Sequence, residues 1–146
     1  MPTNRIRGLI ADTCFWIACF YPKDENHEAA IGLLQRIRAH VVLMPWPIMY
    51  EVLRTTTVSD PRMVSAFERM LRERKIVEVD DKPYRDKCLE STLSQTTSGR
   101  RGISLVDMVV REIVCEGPYR IERLLTFNAK DFSDVCRKCQ VGLWPS

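Results

Sequence analysis

The sequence predicts an α/β fold in three layers, α/β/α, around a central parallel sheet of four to five strands. Three observations predict it. Short apolar runs alternate with longer segments whose apolar residues recur at helical spacing, the order that βαβ units impose. Four carboxylates (Asp12, Glu51, Asp107 and Asp131) fall after such runs or at the starts of the helices between them. That is the edge at which open α/β sheets bind ligands. No internal repeat or composition break divides the 146 residues, so 1–146 reads as one domain, long enough to bury a core.

Taken in order, residues 8–12 (Gly-Leu-Ile-Ala-Asp) form an apolar run ending in an acid, a buried strand. Thr13 to Tyr21 follows as a helix with Trp16, Ile17 and Phe20 on one face, and Pro22 ends it. Asp24 is expected to cap a second helix, in which Ala30, Leu33, Leu34 and Ile37 recur at helical spacing. Val41 to Met44 is the second strand. Pro47 suits the first turn of the helix that carries Glu51, Val52 and Leu53. Asp60-Pro61 is a cap followed by a first-turn proline, opening a helix with Val64, Phe67 and Leu71 inward.

Ile76 to Val79 is the third strand, and Pro83 to about Thr92 a helix. The stretch Ser-Gln-Thr-Thr-Ser-Gly-Arg-Arg-Gly, residues 94–102, reads as a polar, glycine-punctuated loop. Ser104-x-x-Asp107 opens the next helix as a capping pair, with Val106, Val109, Val110, Ile113 and Val114 apolar, and Gly117-Pro118 closes it. Leu124 to Thr126 is the fourth strand, a short turn or helix begins at Ala129, and Val141 to Leu143 is a fifth strand.

The composition is that of an ordinary globular protein, 45% hydrophobic and 28% charged. A net charge of +3 is too weak by itself to indicate nucleic-acid binding. Its distribution says more, because arginine is favoured over lysine in clusters such as Arg36/Arg38, Arg100/Arg101 and Arg120/Arg123. Arginine suits bidentate phosphate contacts; the plainer reading of each cluster is a solvated helix face. No apolar run approaches the ~20 residues of a membrane span. Asp12 comes too early for a secretory signal, and four of the six cysteines read as small buried hydrophobes. The expected compartment is a reducing cytoplasm.

Each acid has an ordinary structural role open to it. Asp12 can cap the helix that follows it, Asp107 can complete the capping pair with Ser104, Glu51 sits near a helix start, and Asp131 can cap a short helix. The set is more informative than its members. Four carboxylates gathered at one sheet edge raise each other's pKa unless a cation offsets them. Hard oxygen ligands of this kind suit Mg²⁺ or Mn²⁺.

The residues Leu-Ile-Ala-Asp-Thr around Asp12 and Thr13, Met-Tyr-Glu-Val-Leu-Arg-Thr around Glu51, Ser-Leu-Val-Asp-Met-Val-Val around Asp107, and Leu-Leu-Thr-Phe-Asn-Ala-Lys-Asp around Thr126, Asn128 and Asp131 resemble the PIN-domain family. The small VapC-type toxins are the nearest likeness within it. The resemblance runs from about Leu9 to Pro145, and the terminal Val-Gly-Leu-Trp-Pro looks like the family's last strand. It implies Mg²⁺- or Mn²⁺-dependent hydrolysis of RNA phosphodiesters, with Asp12, Glu51 and Asp107 as core metal ligands. It implies hydroxyl contacts from Thr13 and Thr126. The fourth position falls to Asp131 or Asn128, and we favour Asp131, because an amide binds Mg²⁺ more weakly than a carboxylate. A toxin would act on RNA, pair with a small antitoxin and could form a homodimer. The alternatives are an RNA-processing PIN nuclease outside a toxin pair, or a non-catalytic PIN-like module binding RNA or protein. A receiver-like phospho-acceptor domain would need an acidic pair near the first strand, where Arg5 and Arg7 stand instead.

Arg100 and Arg101, just ahead of Asp107, are placed to reach a substrate phosphate. Cys136-x-x-Cys139 lacks the second pair that a zinc site needs and reads as two thiols in a connector. Trp16, Phe20, Trp46 and Tyr50 could stack on bases, but their helical spacing favours core packing or a dimer face.

Overall fold

The structure, a computed structural model, describes residues 7–98 and 102–145. Five parallel strands, β1 (Arg7–Ala11), β2 (Val42–Pro45), β3 (Ile76–Val79), β4 (Arg120–Leu125) and β5 (Gly142–Trp144), form one sheet in the order β3-β2-β1-β4-β5. The chain winds outward from β1 to β2 and β3. It then returns to the other side of β1 for β4 and β5. The strand order therefore reverses between β1 and β4, and the crevice beyond their carboxyl ends is the fold's switch point.

The inner strands are apolar because both of their faces are covered by helices. Leu9, Ile10 and Ala11 of β1 and all four residues of β2 are buried, whereas β5, at the edge, is half-buried throughout. Gly8 is required by close approach: a Cβ there would come within 2.9 Å of the Leu43 side chain and 3.1 Å of the Val41 carbonyl. The β1–β4 register also shifts between Gly8 and Leu9.

Helices α1 (Thr13–Phe20), α2 (His27–Arg36), α3 (Trp46–Val52), α4 (Thr55–Val58), α5 (Pro61–Arg72), α6 (Arg85–Ser98), α7 (Leu105–Glu116) and α8 (Ser133–Lys138) fill the connections. Trp16 is 1% exposed and donates its indole N–H to the Ala11 carbonyl at 3.1 Å. Its ring packs against Phe15, Phe20 and Phe67, which locks α1 and α5 together beside β1. Trp16 is thus a core residue, and truncation to alanine would cost ~3–5 kcal/mol. Tyr50, by contrast, is 74% exposed and touches the ring of Trp46.

Three local expectations change. Asp24 does not cap α2. Its carboxylate accepts from the Asn26 N–H, holding the preceding turn, while Asn26 stands at the cap position without a side-chain bond. Helix α6 runs on to Ser98, through half of the segment read as loop. The Gln95 side chain explains the extension: its amide donates to the Ile103 carbonyl at 2.9 Å and its oxygen accepts from the Ile103 N–H at 2.7 Å. Strand β4 begins four residues early, at Arg120, because the charged Arg120, Glu122 and Arg123 occupy exposed positions while Ile121 and Leu124 point into the core. The Asp60 cap and Pro61 start of α5 are as expected, with the Asp60 carboxylate accepting from the Arg62 N–H at 3.0 Å.

Cys139 does not pair with its neighbour Cys136. It forms a disulfide with Cys115 of α7 (Cα–Cα 5.5 Å), while Cys14, Cys19, Cys88 and Cys136 are free. Among the described residues no helix is long and apolar enough to cross a membrane.

Candidate active site

Asp12 ends β1 and caps α1. One carboxylate oxygen accepts from the Thr13 N–H at 2.8 Å; the other accepts from the Thr126 hydroxyl at 3.0 Å and the Cys14 thiol at 3.4 Å. Only 4% of Asp12 is exposed, and burial raises its carboxyl pKa against the opposing effect of these donors. Thr126, the residue after β4, also receives the Asn128 N–H at 2.9 Å. The ends of β1 and β4 are therefore tied through side chains as well as through the sheet. Burial, then the Asp12 charge, pushes the Cys14 thiol up to about 11, so it stays a neutral donor.

Glu51 arrives from α3 and Asp107 from the first turn of α7, where the Ser104 hydroxyl accepts from the Asp107 N–H at 3.1 Å. That cap fixes the helix start, and so the place from which Asp107 projects. Asp12, Glu51 and Asp107 all line a cleft of about 380 Å³ at the switch point, together with Thr13, Arg54 and Asn128. Burial raises the Glu51 carboxyl, and the Asp12 charge adds to it. The Asp107 carboxyl is raised to about 7, first by burial, then by the charges of Asp12 and Asp131, by a hydrogen bond to Asp131, and by Glu51. The four acids singled out in the sequence thus come from four separate elements and act on one another at one edge of the sheet.

Asp131 is 6% exposed and does not line the cleft. It sits behind Asp107, where the Asn128 side-chain amide donates to it at 2.7 Å. Asn128 faces the cleft itself. Arg100 and Arg101 lie outside the described residues.

Sequence reasoning missed Cys14, Asp24, Asn26 and Arg54 as lining residues. Arg54 was within reach of it, because it lies three residues beyond Glu51, just past the end of α3. Among the described residues that line the cleft, Arg54 is the one basic side chain, and it partly offsets the rise at Glu51.

The donor chemistry of the cleft fits a hard divalent cation: the carboxylates of Asp12, Glu51 and Asp107 and the Thr13 hydroxyl offer oxygen, and Asp24 adds a fourth carboxylate to the lining. Thr13 Oγ1 is buried and closes no hydrogen bond of normal geometry, although it stands near enough to Glu51 to favour the ionised carboxylate. Among the described residues no group of three or more His, Cys, Asp and Glu side chains is arranged to hold a metal ion. Asp12 and Asp131 instead spend oxygens on internal donors, so the fit rests on donor chemistry and uncompensated charge. No protein-family model matches the chain, and no curated protein matches it.

Proposed function

We propose that this protein is a metal-dependent endoribonuclease of the PIN type, hydrolysing RNA phosphodiester bonds as the toxin of a toxin–antitoxin pair. The observation that carries the reading is the convergence of Asp12, Glu51 and Asp107 on one cleft, with Asp107 raised to about 7 by burial and then by its acidic neighbours. Uncompensated carboxylates at a switch point are unfavourable for the fold alone, and functional sites are where such arrangements collect.

Asp12, Glu51 and Asp107 would hold Mg²⁺ or Mn²⁺, with the Thr13 hydroxyl beside them. The ion would supply Lewis-acid polarisation of the phosphate and a lowered pKa for bound water. The chain's own contribution is positional. Thr13, Cys14 and Thr126 fix the Asp12 carboxylate in one orientation, and burial together with the neighbouring acids holds the Asp107 carboxyl above its usual range, so that a counter-cation in the cleft is favoured. Asn128 lines the cleft and its amide N–H buttresses Asp131 behind. Arg54 is placed to meet the charge of a phosphate.

The finer reading, a toxin with a protein inhibitor, has support in a second cavity. A groove of about 550 Å³ between α2 and α5 is floored by Ile31, Leu34, Ile37, Ala66 and Met70. It would take the apolar face of an antitoxin's tail, which orders on binding while a cationic side chain enters the cleft against Asp12 and Asp107. The direct test is cleavage of single-stranded RNA with Mn²⁺ or Mg²⁺, with EDTA as control. Full activity in EDTA would sink the metal-dependent reading. Cleavage by a protein that captures no small inhibitory partner would leave the nuclease standing and move it to RNA processing.

A further inference from the structure

Two arginines from different layers converge on one ring at the edge of the sheet. The Arg123 guanidinium carbon, from β4, lies 4.2 Å from the centre of the Trp144 ring in β5, and that of Arg36, in the last turn of α2, lies 4.8 Å from it. The two carbons are therefore at most about 9 Å apart, since both distances run to the same point. Both arginines are exposed and the indole is half-buried. Gly142 makes the approach possible: it pairs with Arg123 across the strands, and a Cβ on it would stand 2.9 Å from Arg123 Nη1.

Among the described residues neither arginine has an acidic partner, although Arg72, Arg85 and Arg111 all do. Stacking uses the flat face of a guanidinium and leaves its N–H edge free, and that edge is the part that fits a phosphate in bidentate fashion. Two like charges held together repel, so the pair is set up for an anion. The backbone of Trp144 ties the cluster to the candidate active site. The Trp144 carbonyl accepts from the Thr126 N–H at 2.9 Å, and the Thr126 hydroxyl bonds Asp12.

We propose that Arg36 and Arg123, held on Trp144, form a phosphate clamp that grips the backbone of single-stranded RNA beside the acidic cleft. The proposal rests on the nuclease reading for its choice of RNA, but it concerns binding and is tested apart from catalysis. Cationic residues beside an aromatic platform are the means by which single strands are held without regard to sequence.

The experiment measures binding of a fluorescently labelled single-stranded RNA by anisotropy, in EDTA so that no cleavage occurs, over a series of salt concentrations. Arg36→Gln and Arg123→Gln should each weaken binding by ~3–10-fold at low salt. Each should also flatten the slope of log K against log salt by ~0.7, the loss of one phosphate contact on a single strand. Arg123→Lys should fall between wild type and Arg123→Gln, since it keeps the charge and loses the planar stack. Arg36 is exposed in a helix end, so Arg36→Gln tests the clamp even if Arg123→Gln fails to fold. Arg62→Gln, on α5, should change nothing. Unchanged affinity and slope in folded Arg36→Gln overturn the proposal, as does equal competition by polyglutamate, which would make the cluster a docking point for an acidic peptide. Wild-type protein that binds no RNA at all overturns clamp and nuclease together. RNA that binds through these arginines but is never cleaved leaves the clamp and removes the nuclease.

Discussion

Acidic residues meet two different fates in this molecule. Away from the cleft, Asp81 and Asp134 are each given a cation. Asp81, 6% exposed, receives both Arg85 Nε and Nη2 at 3.0 Å. Asp134 receives two donors from Arg111 at 2.7 Å, and that guanidinium holds its carboxyl down at about 2. In the cleft, Asp12, Glu51 and Asp107 share one arginine at the margin, and the Asp107 carboxyl is pushed up to about 7. The same side chain is therefore held down where an arginine meets it and pushed up where burial and acidic neighbours surround it. A chain able to neutralise its acids elsewhere leaves this group open to a cation from outside.

The sharpest way to break that contrast is Asp12→Asn. It keeps shape, burial and an acceptor for the Thr13 N–H, replaces the oxygen that accepts from Thr126 by an amide nitrogen, and removes charge. RNA cleavage should fall by a factor of ~10² or more, with circular dichroism and Tm unchanged or slightly raised. An active Asp12→Asn enzyme would mean that the cleft is not where the chemistry occurs.

The next effect is on stability, and its sign follows from Asp107. The carboxyl's ordinary value is 3.8 and its value in the fold about 7. Between those values the folded state binds more protons than the unfolded chain, so stability is fully present below pH ~3.8 and is lost as pH rises toward 7. After discounting for partial exposure, the loss is about 2 kcal/mol. Asp12 and Glu51 act in the same direction. Denaturant midpoints in EDTA should therefore fall from pH 5 to pH 8, the Asp107→Asn variant should lose less, and added Mn²⁺ should restore the wild type at the higher pH. A midpoint that climbs across this range would mean that the acids are not coupled.

A smaller change tests the other side of the comparison. Arg85→Ala leaves Asp81 buried without its partner, and Tm should drop by a few degrees while RNA cleavage stays within about twofold of wild type. A large loss of cleavage with no change in Tm would assign this outlying pair to the site.

Much of this arrangement was legible in the sequence, for reasons that differ along the chain. β1 and the helix after it could be read because Leu9, Ile10 and Ala11 are apolar on both faces and Asp12 ends the run where a cap is needed. The first half of β4 could not, because Arg120, Glu122 and Arg123 are charged in a strand whose exposed positions tolerate charge. The end of α6 was hidden in a polar stretch, where the Gln95 side chain pairs with the Ile103 backbone. Asp12 reaches the cleft because it follows a strand and Asp107 because it opens a helix, whereas Glu51, expected near a helix start, comes from the last turn of α3 (Trp46–Val52). The position of Asp131 depends on the 3₁₀ turn Ala129–Asp131, whose direction no periodicity encodes.

That turn also sets the last and smallest test, the division of labour between Asn128 and Asp131. Asn128 faces the cleft, and Asp131 lies behind Asp107, contributing charge and a hydrogen-bond acceptor to it. The carboxylate should matter more than the amide, because it acts on the protonation of Asp107, whereas the amide acts through a single neutral bond. Asp131→Ala should reduce cleavage about tenfold, the scale expected for a residue that works through a neighbouring ligand. It should also move the pH profile to lower pH, because the charge and hydrogen bond that raise Asp107 are gone. Asn128→Ala should cost about twofold and leave the profile in place. The pH dependence of kcat separates the two residues more clearly than the rate at one pH. An Asp131→Ala enzyme with wild-type rate and profile would remove Asp131 from the site. A shifted profile in Asn128→Ala alone would transfer to the amide the part argued here for the acid.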